Sequence, residues 1–173
     1  MPSFSHEAKL SEIYDALHSE IGGTLGQLLI DAKCESPIEE IMFLALYVRF
    51  RHLTKAPFAF LGHDVNTNHV NSYGMMQLYS QVQIGDYRVD FLLRVPLGEH
   101  GAVSFVIECD GHEFHERTKE QAVRDRSRDR KLQSLGYTVF RFTGSEIWAS
   151  SERCTLEILK AFCQRITAVM AGE

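Results

Sequence analysis

Two short apolar segments, YRVDFLL (87–93) and VSFVIECD (103–110), carry acidic residues where β-strand alternation projects them to one side of each strand. A carboxylate within an otherwise apolar strand is costly to bury unless it is paired or binds a metal. Asp90 in the first segment, and Glu108 and Asp110 in the second, therefore constrain the fold. The two strands must lie where the three acids can share a counter-charge. Three carboxylates converging on a sheet edge suit Mg²⁺ or Mn²⁺, which take oxygen ligands and also hold phosphate oxygens.

The neighbouring sequence supplies the rest of a sheet. QVQI (81–84) alternates, Gly85-Asp86 forms a two-residue turn, and YRVDFLLRV (87–95) follows as the second arm of a hairpin. That turn sets Ile84 opposite Tyr87, Gln83 opposite Arg88, Val82 opposite Val89 and Gln81 opposite Asp90. One side then carries Val82, Ile84, Tyr87, Val89 and Phe91, and the other Gln81, Gln83, Arg88 and Asp90. PLGEHGA (96–102) reads as a loop. The strand after it splits into Val103, Phe105, Ile107 and Cys109 against Ser104, Val106, Glu108 and Asp110.

Helical patterns flank these strands. Residues 7–33 suggest one or two helices broken around Gly22-Gly23, and Ser36-Pro37-Ile38-Glu39 is a capping-box start for a helix reaching about Phe50. Residues 55–75 read as an irregular loop along one edge. A helix over 117–135 precedes the strand 137–142, a short helix starts in TGSEIW (143–148), and an amphipathic helix covers 152–170. The expectation is an α/β fold with a short mixed β-sheet flanked by helices. Residues 1–33 would be a helical extension packed on the core, 34–148 the main body, and 149–173 a C-terminal helix of the same domain.

Composition narrows the setting. The chain has 173 residues, 45% of them hydrophobic, which suits one domain with a real core. No apolar run is long enough to span a membrane, and no secretory signal is visible. The four cysteines lack paired spacing, which fits a reduced, cytoplasmic protein. Net charge is -5, yet residues 116–131 hold seven Lys or Arg against four Asp or Glu, so +3 in that segment leaves -8 elsewhere. The stretch YVRFRHLTK (47–55) contains basic residues and no acid. An acidic protein with two local basic patches excludes non-specific coating of nucleic acid and suits an enzyme contacting it over a short footprint.

The helix 117–135 has a polar end to its inward stripe. Leu135 and Leu132 give way at helical spacing to Arg128, Asp125 and Gln121, approaching the strand end that carries Glu108 and Asp110. An intrahelical Asp125–Arg128 pair would explain the same pattern.

The order of SPIEE, YRVDFLL, VIECDGHEFH and QAVRDRSRDRKLQSLGYTVFRFTGSEI resembles the Vsr-like branch of the restriction-endonuclease-like, PD-(D/E)XK superfamily, over roughly residues 34–148. This resemblance implies a restriction-endonuclease-like core and metal-dependent hydrolysis of phosphodiester bonds in DNA, in repair or defence. It implies that Asp90 and Glu108 bind Mg²⁺ or Mn²⁺, with Glu39 acting through a water, and the shared strand face adds Asp110 as a third metal ligand. Asp110 stands where the superfamily usually has a lysine. His115, beside Phe114, matches a histidine of the very short patch repair enzymes and would be the general base. Gln121 or Arg128 would orient the phosphate. Arg49, Arg51, Arg117, Lys119, Arg124 and Arg128 would contact the DNA backbone.

Other readings remain open. Glu39 serves equally as a capping glutamate, and Asp110-Gly111 as turn chemistry. A zinc site from Cys109, His112 and His115 is disfavoured, because Cys109 points away from Glu108 and no clear fourth ligand is near. The missing lysine favours an alternative function: a catalytically weak or inactive nucleic-acid-binding module that retains the fold. The final helix either packs on the core or mediates homodimerisation.

Overall fold

Ser36 begins the helix that carries the core. The computed structural model describes residues 24–54, 56–63, 73–111 and 119–172. A first helix, α1 (Thr24–Ala32), precedes α2 (Pro37–Val48). The Ser36 hydroxyl accepts from the Glu39 amide at 3.3 Å, and Pro37 fills the first helical turn. Pro37 costs nothing there, because no intrahelical partner exists for its missing N–H. A π-helical turn, Arg49–Leu53, extends α2. Ile38, Ile41, Met42, Phe43, Leu44 and Leu46 are buried, so α2 is apolar on most sides as its sequence predicts.

Five strands form one sheet in the order β1 (Phe58–Phe60), β2 (Met76–Ile84), β3 (Tyr87–Pro96), β4 (Ala102–Asp110) and β5 (Thr138–Thr143). The outer pairs β1–β2 and β4–β5 are parallel, and the inner pairs are antiparallel. The architecture is the mixed α/β one expected. Two boundaries differ: β2 starts five residues before Gln81, and the presumed loop 55–75 contains the three-residue strand β1. An edge strand this short leaves too little alternation to read.

Helix α3 (Lys119–Ser134) crosses one face of the sheet, where Leu132 is fully buried with Tyr79, Val82, Ile84, Val89, Leu92 and Val106. The other face is covered by α2 and α4 (Gly144–Ala171). Ile158 and Phe162 of α4 are buried there, so the final helix packs on the core. Thr143 and Glu146 cap it with a reciprocal capping box, and a kink at Ser150 separates its first turns from the rest. The short helix and the long one are thus both present. Leu135, expected inside, is 52% exposed, because α3 ends at Ser134.

The hairpin register holds for Ile84–Tyr87, Gln83–Arg88 and Val82–Val89. Gly85 adopts φ +57, which glycine allows at low cost. The side assignment fails beyond that point. Phe91 stacks near Phe43 of α2 with ring centroids 6.3 Å apart, whereas Val82, Ile84 and Val89 face α3. Alternation slips by one residue where Gln81 takes φ +50 and the expected Gln81–Asp90 pair is missing from the ladder. A left-handed residue reverses the facing of the strand beyond it. Nothing in the side chain of glutamine announces that conformation.

Candidate active site

The β3–β4 ladder stops at Phe91–Ile107. Its register would next set Asp90 against Glu108, but Glu108, Cys109 and Asp110 instead continue the pairing of β4 with β5. The two strands part there, and the acids line the notch. The Cys109 amide, freed from the β3 ladder, donates to Asp90 Oδ2 at 2.7 Å. Glu108 is buried, and Arg128 Nη2 donates to its Oε1 at 2.5 Å. Among the described residues, Asp90 Oδ1 and Glu108 Oε2 accept no hydrogen bond.

These acids act on one another electrostatically. Burial pushes the Asp90 carboxyl up to about 6; Glu39 and Asp110 add to the rise, while the Cys109 amide and Arg128 oppose it. Burial and the charge of Asp90 push Glu108 up to about 8, against the pull of Arg128 and Arg141. A half-buried and a buried carboxylate that both resist ionisation are short of positive charge. Arg128, the guanidinium bonded to Glu108, does not by itself neutralise two carboxylates.

Asp110 is the outlier. Arg141 Nη1 donates to its Oδ1 at 3.2 Å, and the same guanidinium grips Asp129, with Nη2 donating to Oδ1 at 2.8 Å. Among the described residues no three His, Cys, Asp or Glu side chains stand together closely enough to hold a metal ion. Asp110, though engaged by Arg141, still adds its charge to both Asp90 and Glu108. The pair still fits Mg²⁺ or Mn²⁺. Such ions bind through one or two carboxylates and fill their remaining positions with waters and phosphate oxygens.

Glu39 lies behind Asp90. Its Oε1 accepts from the Ser36 hydroxyl at 2.8 Å, and its Oε2 accepts from the Glu35 amide at 2.8 Å and from Gln81 Nε2 at 2.7 Å. It is a capping residue that also ties α2 to the strained residue of β2. Cys34 sits near the same acids: burial, then Glu39, Glu40 and Asp90, push its thiol up to about 12.

The basic residues divide. Arg128 Nη2 also donates to the Arg88 carbonyl at 2.5 Å, and its guanidinium lies 5.9 Å from the Tyr87 ring centre. Its carboxylate partner is Glu108 on β4. Arg124, one turn earlier, is exposed. Arg49 is committed elsewhere, donating to Thr155 Oγ1 and the Glu152 carbonyl at 3.3 Å each, so it fastens the π-helical turn to α4. Arg51 is exposed, but it lies twelve residues along the helix from Glu39, roughly 15 Å or more. His112, His115 and Arg117 lie outside the described residues, and so do the side chains of Lys119 and Gln121.

Arg141, Asp129 and Gln81 were not anticipated as site residues. Arg141 could have been found, since it is the only charged residue in YTVFRF and the argument applied to Asp90 covers it equally.

Residues 67–162, more than half of the chain, match the model of REase_MTES_1575, a restriction endonuclease-like family. The chain belongs to the REase_MTES_1575 family. Comparison with curated proteins gave no match, and neither did comparison with solved structures. The REase_MTES_1575 match covers Asp90, Glu108, Asp110, Arg128 and Arg141, leaves Glu39 outside, and runs into α4 past the end of the expected span. Membership supports the nuclease superfamily to which the motifs pointed.

Proposed function

We propose that this protein is a metal-dependent endonuclease that hydrolyses phosphodiester bonds in DNA, in the manner of the Vsr-like enzymes. The observation that carries the reading is the notch where β3 and β4 part. There half-buried Asp90 and buried Glu108 stand at the end of the broken ladder, each with one oxygen that accepts no hydrogen bond among the described residues. Asp90 and Glu108 would hold Mg²⁺ or Mn²⁺, with Asp110 alongside once it leaves Arg141. A bound divalent ion would acidify a water and neutralise charge on the phosphate.

The chain's own groups do the rest. The Cys109 amide fixes the rotamer of Asp90, and the Glu39–Gln81 contact holds the strained turn of β2 beneath it. His115 accepts the proton of the attacking water in this proposal, since an imidazole titrates near neutrality. Gln121 orients the phosphate, while Arg117, Lys119, Arg124 and Arg128 contact the DNA backbone.

A plasmid-nicking assay with Mg²⁺ or Mn²⁺ tests the reading. The wild-type chain should nick, and Asp90→Ala and Glu108→Ala should not. Nicking that persists in both variants would overturn the site. One observation favours a second reading, a nucleic-acid-binding module without cleavage. Asp110 replaces the usual lysine and is tied to Arg141. DNA binding with no nicking across a series of metals would select it.

A further inference from the structure

We propose that Arg128 is a built-in counter-ion for the carboxylate pair, and that it exchanges its place for a divalent cation when a DNA phosphate arrives to receive it. This rests on the metal-dependent reading of the notch given above.

Arg128 spans the gap left by the broken ladder. Its Nη2 donates both to Glu108 Oε1 on β4 and to the Arg88 carbonyl on β3. The side chain is 21% exposed while that of Glu108 is only 5% exposed, so the guanidinium closes the notch between the carboxylate and solvent. The fit is incomplete. Arg128 Nε is buried and has no hydrogen-bond partner among the described residues, and a buried unpaired donor favours any arrangement that satisfies it. The charge balance is incomplete too. Arg128 supplies one positive charge to two carboxylates, and a divalent cation supplies two.

The helix provides a pivot and a destination. Leu132, one turn later, is fully buried and anchors α3 whatever Arg128 does. Arg124, one turn earlier on the same face, is exposed. A guanidinium leaving Glu108 therefore moves toward a neighbouring cation that would share the same phosphate, where its planar fork suits bidentate binding. Because Arg128 must leave for the cation to enter, and a phosphate rewards its leaving, cation and DNA bind cooperatively.

The test is calorimetric titration of the full-length chain with Mn²⁺, with and without a saturating nuclease-resistant phosphorothioate duplex. Wild type should bind Mn²⁺ about tenfold more tightly with the duplex than without it. Arg128→Gln should bind Mn²⁺ about tenfold more tightly than wild type without the duplex and gain little from adding it. Arg128→Lys, which keeps the charge but cannot bridge Glu108 and the Arg88 carbonyl together, should fall between them. It decides the matter if circular dichroism shows Arg128→Gln unfolded. Mn²⁺ affinity no higher than wild type in the folded variant overturns the inference. Asp90→Asn separates the two levels of argument: Mn²⁺ binding indifferent to that change overturns the metal site itself, whereas binding that needs Asp90 but ignores Arg128 overturns only the exchange.

Discussion

The main-chain amide of Cys109 holds the side chain of Asp90 at 2.7 Å, replacing a ladder hydrogen bond with a side-chain one where β3 and β4 separate. This contact makes the two roles of Asp90 separable. Asp90→Asn keeps an acceptor for the amide and loses the charge, whereas Asp90→Ala leaves the amide unpaired. Both variants should fail to nick DNA. In urea unfolding, Asp90→Ala should be less stable than Asp90→Asn by about 1–3 kcal/mol. Equal stability of the two would show that the amide contact contributes nothing.

Glu39 can be tested by a similar contrast. Its carboxylate accepts from Ser36, Glu35 and Gln81. A glutamine at this position of a capping box serves nearly as well as glutamate. Glu39→Gln should therefore unfold close to wild type, while Glu39→Ala should lose about 1–3 kcal/mol. If Glu39 also acts on a metal-bound water, Glu39→Gln should lower nicking at unchanged stability. Unchanged nicking would confine Glu39 to the cap.

Much of this was legible in the sequence, for identifiable reasons. The Ser36-Pro37 start, the Gly85-Asp86 turn and the faces of β4 follow from local chemistry, and each appears as read. Asp90 and Glu108 stood out because a charge in an apolar strand demands an explanation. The reversal at Gln81 was not legible, because a left-handed φ at glutamine is set by tertiary contacts such as Glu39 and leaves no local mark. Just beyond it Phe91, paired with Ser80, faces α2. The engagement of Asp110 by Arg141 was hidden for a different reason. Alternation gives direction, but the partner Arg141 comes from a strand 31 residues away.

That partner has a predicted cost of its own. Arg141 bonds Asp129 through Nε and Nη2, and Asp110 through Nη1. Removing it takes a shared guanidinium away from two half-buried carboxylates. Arg141→Ala should destabilise the chain by about 2–4 kcal/mol, near the range for breaking a buried ion pair. Arg141→Lys should recover only part of this, since a point charge cannot replace the fork. Thermal unfolding of both variants checks the order, and an Arg141→Lys variant as stable as wild type would count against it.

The acid pair also fixes how stability responds to pH without metal. Asp90 titrates at about 6 and Glu108 at about 8 in the folded protein, against ordinary values of 3.8 and 4.5. Burial is the largest cause for both; Glu39 and Asp110 add to the rise at Asp90, and Asp90 and Asp110 add to it at Glu108. The folded chain therefore binds more protons than the unfolded one between those limits, and stability falls as pH rises. The contribution is complete below about pH 4 and lost by about pH 8, the reverse of an ordinary salt-bridged carboxylate. Urea unfolding in chelator at about pH 5 and about pH 8 should show it. Asp90→Asn and Glu108→Gln should each flatten the slope, because an amide has no proton to lose. Mg²⁺ should restore stability at the higher pH and do little at the lower, since a cation binds the ionised pair and stabilises only the state that binds it. A wild-type chain equally stable at both pH values in chelator would show that burial does not raise the two acids.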